Sequence, residues 1–139
     1  MLSETEGKFL TMHEFAKAAK NRLDANIWDY LTGATETETT MRRNRLALDT
    51  LAFRPRVLRD VSNIDTTSEV FGKKIRLPVA LAPVGGLESF GANGAATAGQ
   101  GASAFGVPLI VSSVTKPGLE ETAANTPGSK VFQLYVRGD

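Results

Sequence analysis

The sequence predicts a parallel α/β fold, and two observations predict it. Three apolar runs, residues 77–86, 107–115 and 130–138, each end in small or polar residues. Between them lie two helix-compatible stretches, giving βαβαβ order, which implies parallel strands joined by right-handed crossovers. In such folds ligands sit at the carboxyl ends of the strands. Function is therefore sought at Pro83-Val84-Gly85-Gly86, at Ser112-Ser113 and at Gln133-Leu134-Tyr135.

The elements follow in order. Residues 11–31 read as one helix, with Phe15, Ala18, Ala19, Leu23, Ile27 and Leu31 recurring at three- and four-residue steps. Thr11 and Glu14 have capping-box spacing, and Gly33 suits the end of this helix. Residues 35–48 suit a second helix, Thr/Glu-rich at its start and Arg-rich later, as the helix dipole favours. Residues 1–50 thus form a helical extension. Residues 51–139 form the main domain, beginning with short apolar pieces broken by Pro55, Asn63 and Gly72 that are expected to cover one of its ends. Phe71-Gly72-Lys73-Lys74-Ile75 has the look of a small hairpin turn. A strand over 79–82, a helix over 94–105, a strand over 107–112, a short helix over 117–125 and a strand over 131–136 complete the expectation.

Composition narrows the chemistry. The 139 residues, 42% hydrophobic and 22% charged, suit one soluble globular domain. A net charge of +1 gives no field that points to nucleic acid, and Arg42-Arg43-Asn44-Arg45 reads as a solvated helix face. With no cysteine there is no disulfide, thiolate nucleophile or zinc thiolate site, so redox chemistry would need a bound cofactor. Residues 1–6 lack the basic and apolar regions of a leader, and no stretch reaches the roughly 18 apolar residues of a membrane span. Cytoplasmic residence is the resulting expectation.

At the strand ends, Val84-Gly85-Gly86 offers backbone groups without bulky side chains, which suits close approach of a flat ring, and equally suits a tight turn. Ser112 supplies a hydroxyl, and Gln133 can both donate and accept, matching the polar edge of a heterocycle. Either is also compatible with a cap or a satisfied buried polar group. Tyr135 follows Gln133 by two, so strand alternation would place both on one side. Tyr30 beside Trp28 can offer a phenol to a carboxylate or simply pack in a core. The single histidine, His13, stands on the first helix away from every strand end, and nothing here has hydrolase or metal-site spacing. Gly91-Ala92-Asn93-Gly94 lacks the spacing and preceding strand of a dinucleotide fingerprint.

These residues together resemble the N-terminal portion of the FMN-dependent α-hydroxy-acid oxidases and dehydrogenases, the glycolate oxidase, lactate oxidase and mandelate dehydrogenase type. The likeness is carried by Trp28-Asp29-Tyr30-Leu31 with Gly33, by Asn44-Arg45, and by Phe53 through Leu58 leading to Asp60-Val61-Ser62. It continues through Pro78 to Pro83, Ser112-Ser113 and Phe132-Gln133-Leu134-Tyr135-Val136. The resemblance implies a (β/α)8 TIM barrel of which this chain supplies two N-terminal helices and about three parallel strands. It implies FMN contacts at Pro83, Val84, Gly85, Ser112 and Gln133, and substrate contacts at Tyr30 and Tyr135. It also implies oxidation of a small L-2-hydroxy acid to a 2-keto acid, with no metal. The family's histidine base, arginine clamp and flavin lysine lie later in its sequences, so no catalytic residue is expected in these 139 positions. A truncated barrel of this kind could alternatively be an inactive half-barrel that binds FMN weakly, or assemble with a complementary C-terminal half or with copies of itself. Val84 replaces a frequent threonine, Ala34-Thr35 replaces a common Gly-Ala pair, and Val114 stands where some members place an aromatic ring. These departures bear on substrate identity more than on flavin binding.

Overall fold

The computed structural model describes residues 8–136 and 138; the leader reading over residues 1–6 and position 137 of the third apolar run lie outside them. The chain forms two compact units, Met1–Leu58 and Arg59–Asp139.

Among its described residues the first unit holds three helices, α1 (Met12–Lys20), α2 (Ala25–Thr32) and α3 (Thr39–Asp49). Thr11 and Glu14 make the expected capping box: the Glu14 N–H donates to Thr11 Oγ1 at 3.4 Å, and the Thr11 N–H donates to the Glu14 carboxylate at 3.2 Å. The single helix expected over 11–31 is two. Asp24 ends the first course of chain by turning its carboxylate back onto the Asn26 N–H at 2.9 Å, starting α2 afresh. An Asp side chain that competes in this way for backbone donors favours a cap over a helix interior. Gly33 does close α2, donating its N–H to the Asp29 carbonyl at 2.8 Å. The next helix begins at Thr39 rather than Thr35, because Glu36 and Glu38 take left-handed backbone angles that no right-handed helix contains. Along α3 every residue is exposed, including Arg42, Arg43 and Arg45, and Arg45 pairs with Asp49 one turn on.

The second unit opens with an antiparallel hairpin, β1 (Ser68–Val70) and β2 (Lys73–Ile75). Phe71 and Gly72 both have positive φ, the two-residue turn whose twist matches that of the paired strands. Ile75 is buried, and the Arg76 N–H reaches the Gly106 carbonyl at 2.9 Å, seating the hairpin near the amino end of the following sheet. Arg76 also lays its guanidinium over the Phe105 ring at 4.5 Å.

That sheet centres on β3 (Leu109–Ser112), which pairs in parallel with β4 (Lys130–Gln133) in the register Leu109↔Lys130 through Ser112↔Gln133. The strand expected over 79–82 contributes a single parallel bridge, Leu81↔Leu109. Leu81 donates to the Pro108 carbonyl and accepts from the Ile110 N–H, both at 3.0 Å. Pro78 and Pro83 bracket it, and proline has no N–H to extend a ladder. The third strand stops at Gln133, short of the expected Val136. Helix α4 (Gly94–Phe105) and the shorter α5 (Leu119–Asn125) make the two crossovers.

Ala102, Val107, Leu109 and Val111 form the core, with Leu77, Ala98 and Leu119 packed on it. The small residues of α4 do the packing work expected of them. A β-carbon at Gly99 would stand 2.9 Å from Thr126 Cγ2 and 3.3 Å from Leu109 Cδ2, so only a bare glycine lets α4 approach β3 this closely. Thr122, wholly buried, donates to the Pro117 carbonyl at 3.0 Å, and Thr126 donates to the Thr122 carbonyl at 2.6 Å. No helix among the described residues is long and apolar enough to cross a membrane.

Val111 is 1% exposed at the middle of the central strand. Truncating it to alanine is expected to lower the unfolding free energy by about 2 kcal/mol, measured by urea denaturation, since a buried methyl pair is lost and a cavity remains. The same change at exposed Val114 should cost far less.

Candidate flavin site

Three chain segments end side by side at the carboxyl edge of the sheet: the turn at residues 83–86, β3, and β4. Ser112 is the pivot. On one side it is paired in register with Gln133. On the other, a β-carbon at Gly85 would stand 3.9 Å from Ser112 Oγ and 2.8 Å from Val114 Cγ2. The structure therefore brings Gly85, Ser112 and Gln133 together. Pro83 is half-buried ahead of them, and Val84 is exposed.

Their polar groups differ in how far they are satisfied. Ser112 is buried, and its Oγ accepts the Val114 N–H at 3.3 Å, which leaves the hydroxyl proton for another acceptor. Ser113 is exposed. Gln133 Oε1 is buried with no hydrogen-bond partner. An amide oxygen shut away from water without a donor costs free energy, so this atom fits a ligand that brings an N–H to it. A planar heterocycle with an imide edge does so. The small turn beside it, where even one added carbon would meet Val114, suits close backbone approach to such a ring.

The remaining candidates, Tyr135 and Tyr30, are both exposed. Tyr135 follows β4 in irregular chain, so pleat alternation does not carry from Gln133 to it, and its side chain is 51% exposed. Tyr30 lies on α2 of the first unit and is 76% exposed.

Behind the turn lies a set of contacts that residue types alone do not reveal. The Gly86 N–H donates to the Val114 carbonyl at 3.0 Å, the Leu87 N–H to Thr115 Oγ1 at 3.3 Å, and the Lys116 N–H to the Glu88 carboxylate at 2.8 Å. Residues 86, 87 and 88 are thus tied in step to 114, 115 and 116. Thr115 is buried in this tie. Hydrogen bonds to its carboxylate, from its own backbone N–H first and then from Lys116, hold Glu88 below the usual glutamate range. The far side of Lys116 is used too: its carbonyl accepts the Ala95 N–H at 3.2 Å, satisfying a donor in the first turn of α4. No spacing rule links Glu88 to Lys116, because 28 residues separate them.

Residues 19–139 match the family model of the FMN-dependent dehydrogenases. The chain belongs to the FMN-dependent dehydrogenase family. Among curated relatives it is 39% identical over 126 residues to the L-lactate dehydrogenase of Alcaligenes faecalis, an alignment covering 91% of this chain and 33% of that protein. It is 37% identical over 133 residues to glycolate oxidase 1 of Oryza sativa subsp. indica, covering 96% of this chain and 36% of that one. Among solved structures it superposes on mandelate oxidase in complex with 3,3-difluoro-2-hydroxy-3-phenylpropionic acid with a TM-score of 0.88 at 34% identity, over 94% of this chain and 39% of that one. A soluble mutant of the membrane-associated (S)-mandelate dehydrogenase from Pseudomonas putida gives a TM-score of 0.84 at 31% identity, over 89% and 36% of the two chains. The chain thus spans about a third of the length of the curated relatives it matches. The cofactor of this flavoprotein oxidoreductase family is FMN.

The tie leaves no room at Gly94. A β-carbon there would lie 2.2 Å from the Lys116 carbonyl oxygen and 2.8 Å from the Glu88 nitrogen, at a φ of +27°. Gly94→Ala is expected to destabilise the second unit by about 2 kcal/mol or more, seen as a lowered thermal midpoint, because both contacts are with backbone that cannot swing aside.

Proposed function

We propose that this chain contributes the first strands and the flavin-contacting turns of a (β/α)8 barrel that oxidises L-2-hydroxy acids to 2-keto acids. The observation that carries the reading is the buried, partnerless Gln133 Oε1 beside Ser112 and Gly85. Pro83, Val84 and Gly85 would meet the flavin through backbone groups, Ser112 through its hydroxyl and Gln133 through its amide. When bound, FMN supplies the hydride acceptor. The chain's own part is to hold and orient the ring and to keep water from its polar edge.

Tyr30 and Tyr135 are assigned to the substrate, as phenols that donate to a carboxylate or hydroxyl. The general base and the carboxylate clamp would come from outside these 139 residues. The barrel itself is supported by the sheet: among the described residues β4 pairs on one flank only, with β3, and Phe132 and Leu134 beside that open edge are exposed. An edge of this kind calls for a further strand. The same edge favours a second reading, in which the chain is an inactive half-barrel that gains its missing strands from a complementary chain.

FMN titration followed by flavin fluorescence tests the site. Gln133→Leu is expected to weaken FMN binding about tenfold, while raising the stability of the flavin-free protein by up to about 1 kcal/mol, since an unsatisfied buried oxygen is removed. Unchanged FMN affinity in this variant would overturn the assignment of Gln133. For the reaction, protein isolated from its natural source should lose its flavin's visible absorbance when mixed anaerobically with an L-2-hydroxy acid such as lactate, glycolate or mandelate. A flavin that stays oxidised with all three would favour the half-barrel reading.

A further inference from the structure

The turn at residues 83–86 bears the proposed flavin contacts but has little of its own to hold it. Pro83 brings no N–H, and Val84 is 43% exposed. What holds it is the stepwise tie to residues 114–116, and the last step differs in kind from the other two. Gly86 and Leu87 donate to neutral oxygens, whereas the third step ends on a carboxylate. Hydrogen bonds to an ionised acceptor are the stronger class.

The Lys116 N–H donates to the Glu88 carboxylate at 2.8 Å, and next to it the Leu87 N–H donates to the buried Thr115 hydroxyl at 3.3 Å, so two adjoining residues of the turn are joined to two adjoining residues of the loop. The charged group that faces Glu88 is Lys116, and α4, packed against the short 3-10 turn that contains Glu88, carries no ionisable side chain.

We propose that Glu88 is a positioning residue: by closing the tie to Lys116, its ionised carboxylate fixes the 83–86 turn against Ser112 and Val114 in the shape that receives the flavin. This rests on the flavin reading above. Among the described residues Glu88 forms no side-chain hydrogen bond with those assigned to the flavin, and it acts through the backbone of residues 86–88.

The sign of the pH effect follows from the depressed pKa. A carboxylate held down in the folded state contributes its stabilisation fully above its unfolded pKa and loses it as pH falls through the folded one. The tie is therefore expected to be intact at neutral pH and to weaken only below the usual glutamate range.

Amide hydrogen exchange on the full chain tests this, as protection factors for Gly86 and Leu87 across a pH series, in the wild type, Glu88→Gln and Glu88→Ala. In Glu88→Ala both amides should lose about tenfold in protection while Val111 on β3 keeps its own. Glu88→Gln, which retains a neutral acceptor, should recover most of that loss and lose the acid-side change in protection that the wild type shows. FMN dissociation constants measured on the same samples should rise about threefold in Glu88→Ala. Unaltered protection in Glu88→Ala, or the same pH profile in Glu88→Gln as in the wild type, would overturn the role of Glu88. Failure of the wild type to bind FMN would overturn the flavin reading alone, since the exchange data still decide whether Glu88 sets the turn.

Discussion

The carboxyl-end surface depends on the parallel pairing of β3. Leu109 to Ser112 is flanked by Leu81 on one side and by Lys130 to Gln133 on the other, and its side chains Leu109 and Val111 are the centre of the core. Burial of those two residues fixes the height of the strand. Once the height is fixed, the register places Ser112 level with Gln133, and the turn after Pro83 falls against Ser112 and Val114. The site is thus a consequence of packing several residues below it, in the manner of parallel α/β folds, whose strand ends carry function while strand middles carry stability.

Glycine serves this arrangement in two distinct ways. At Gly99 its value is the missing side chain, which brings α4 within contact of β3 and Thr126. At Gly94 a positive φ and the nearness of the Lys116 carbonyl act together, so that the start of α4, Glu88 and Lys116 meet at one point. Helix α4 begins with no side-chain cap, and the loop after β3 supplies the carbonyl that one of its first donors needs. The helix start and the site loops are therefore one structural unit, and strain in either is felt by the other.

Polar satisfaction follows a gradient across the same surface. Thr115, Thr122 and Thr126 are buried and hydrogen-bonded, as buried hydroxyls in a stable interior are. Gln133 Oε1, at the edge of the surface, is buried and unpaired. Among the described residues it is the one buried side-chain oxygen without a hydrogen-bond partner.

Much of this was legible in the residues. The capping box at Thr11, the hairpin at Phe71-Gly72, helix α4 and the parallel order of the later strands follow from short-range patterns, where periodicity and turn chemistry act within a few residues. So does family membership, which rests on ordered local motifs. The break at Asp24, the late start of α3 and the reduction of the first strand to a bridge at Leu81 did not show, because a helix-like or strand-like pattern persists where one side chain, one pair of left-handed residues or two prolines redirect the backbone. The strand-end motifs marked Gly85, Ser112 and Gln133 singly. Only the folded chain decided that they adjoin, that Gln133 keeps an open acceptor, and that Glu88 is bound to Lys116, because these facts depend on contacts between segments some 20 to 30 residues apart, and a local pattern carries no record of which distant groups the packing brings within hydrogen-bond reach.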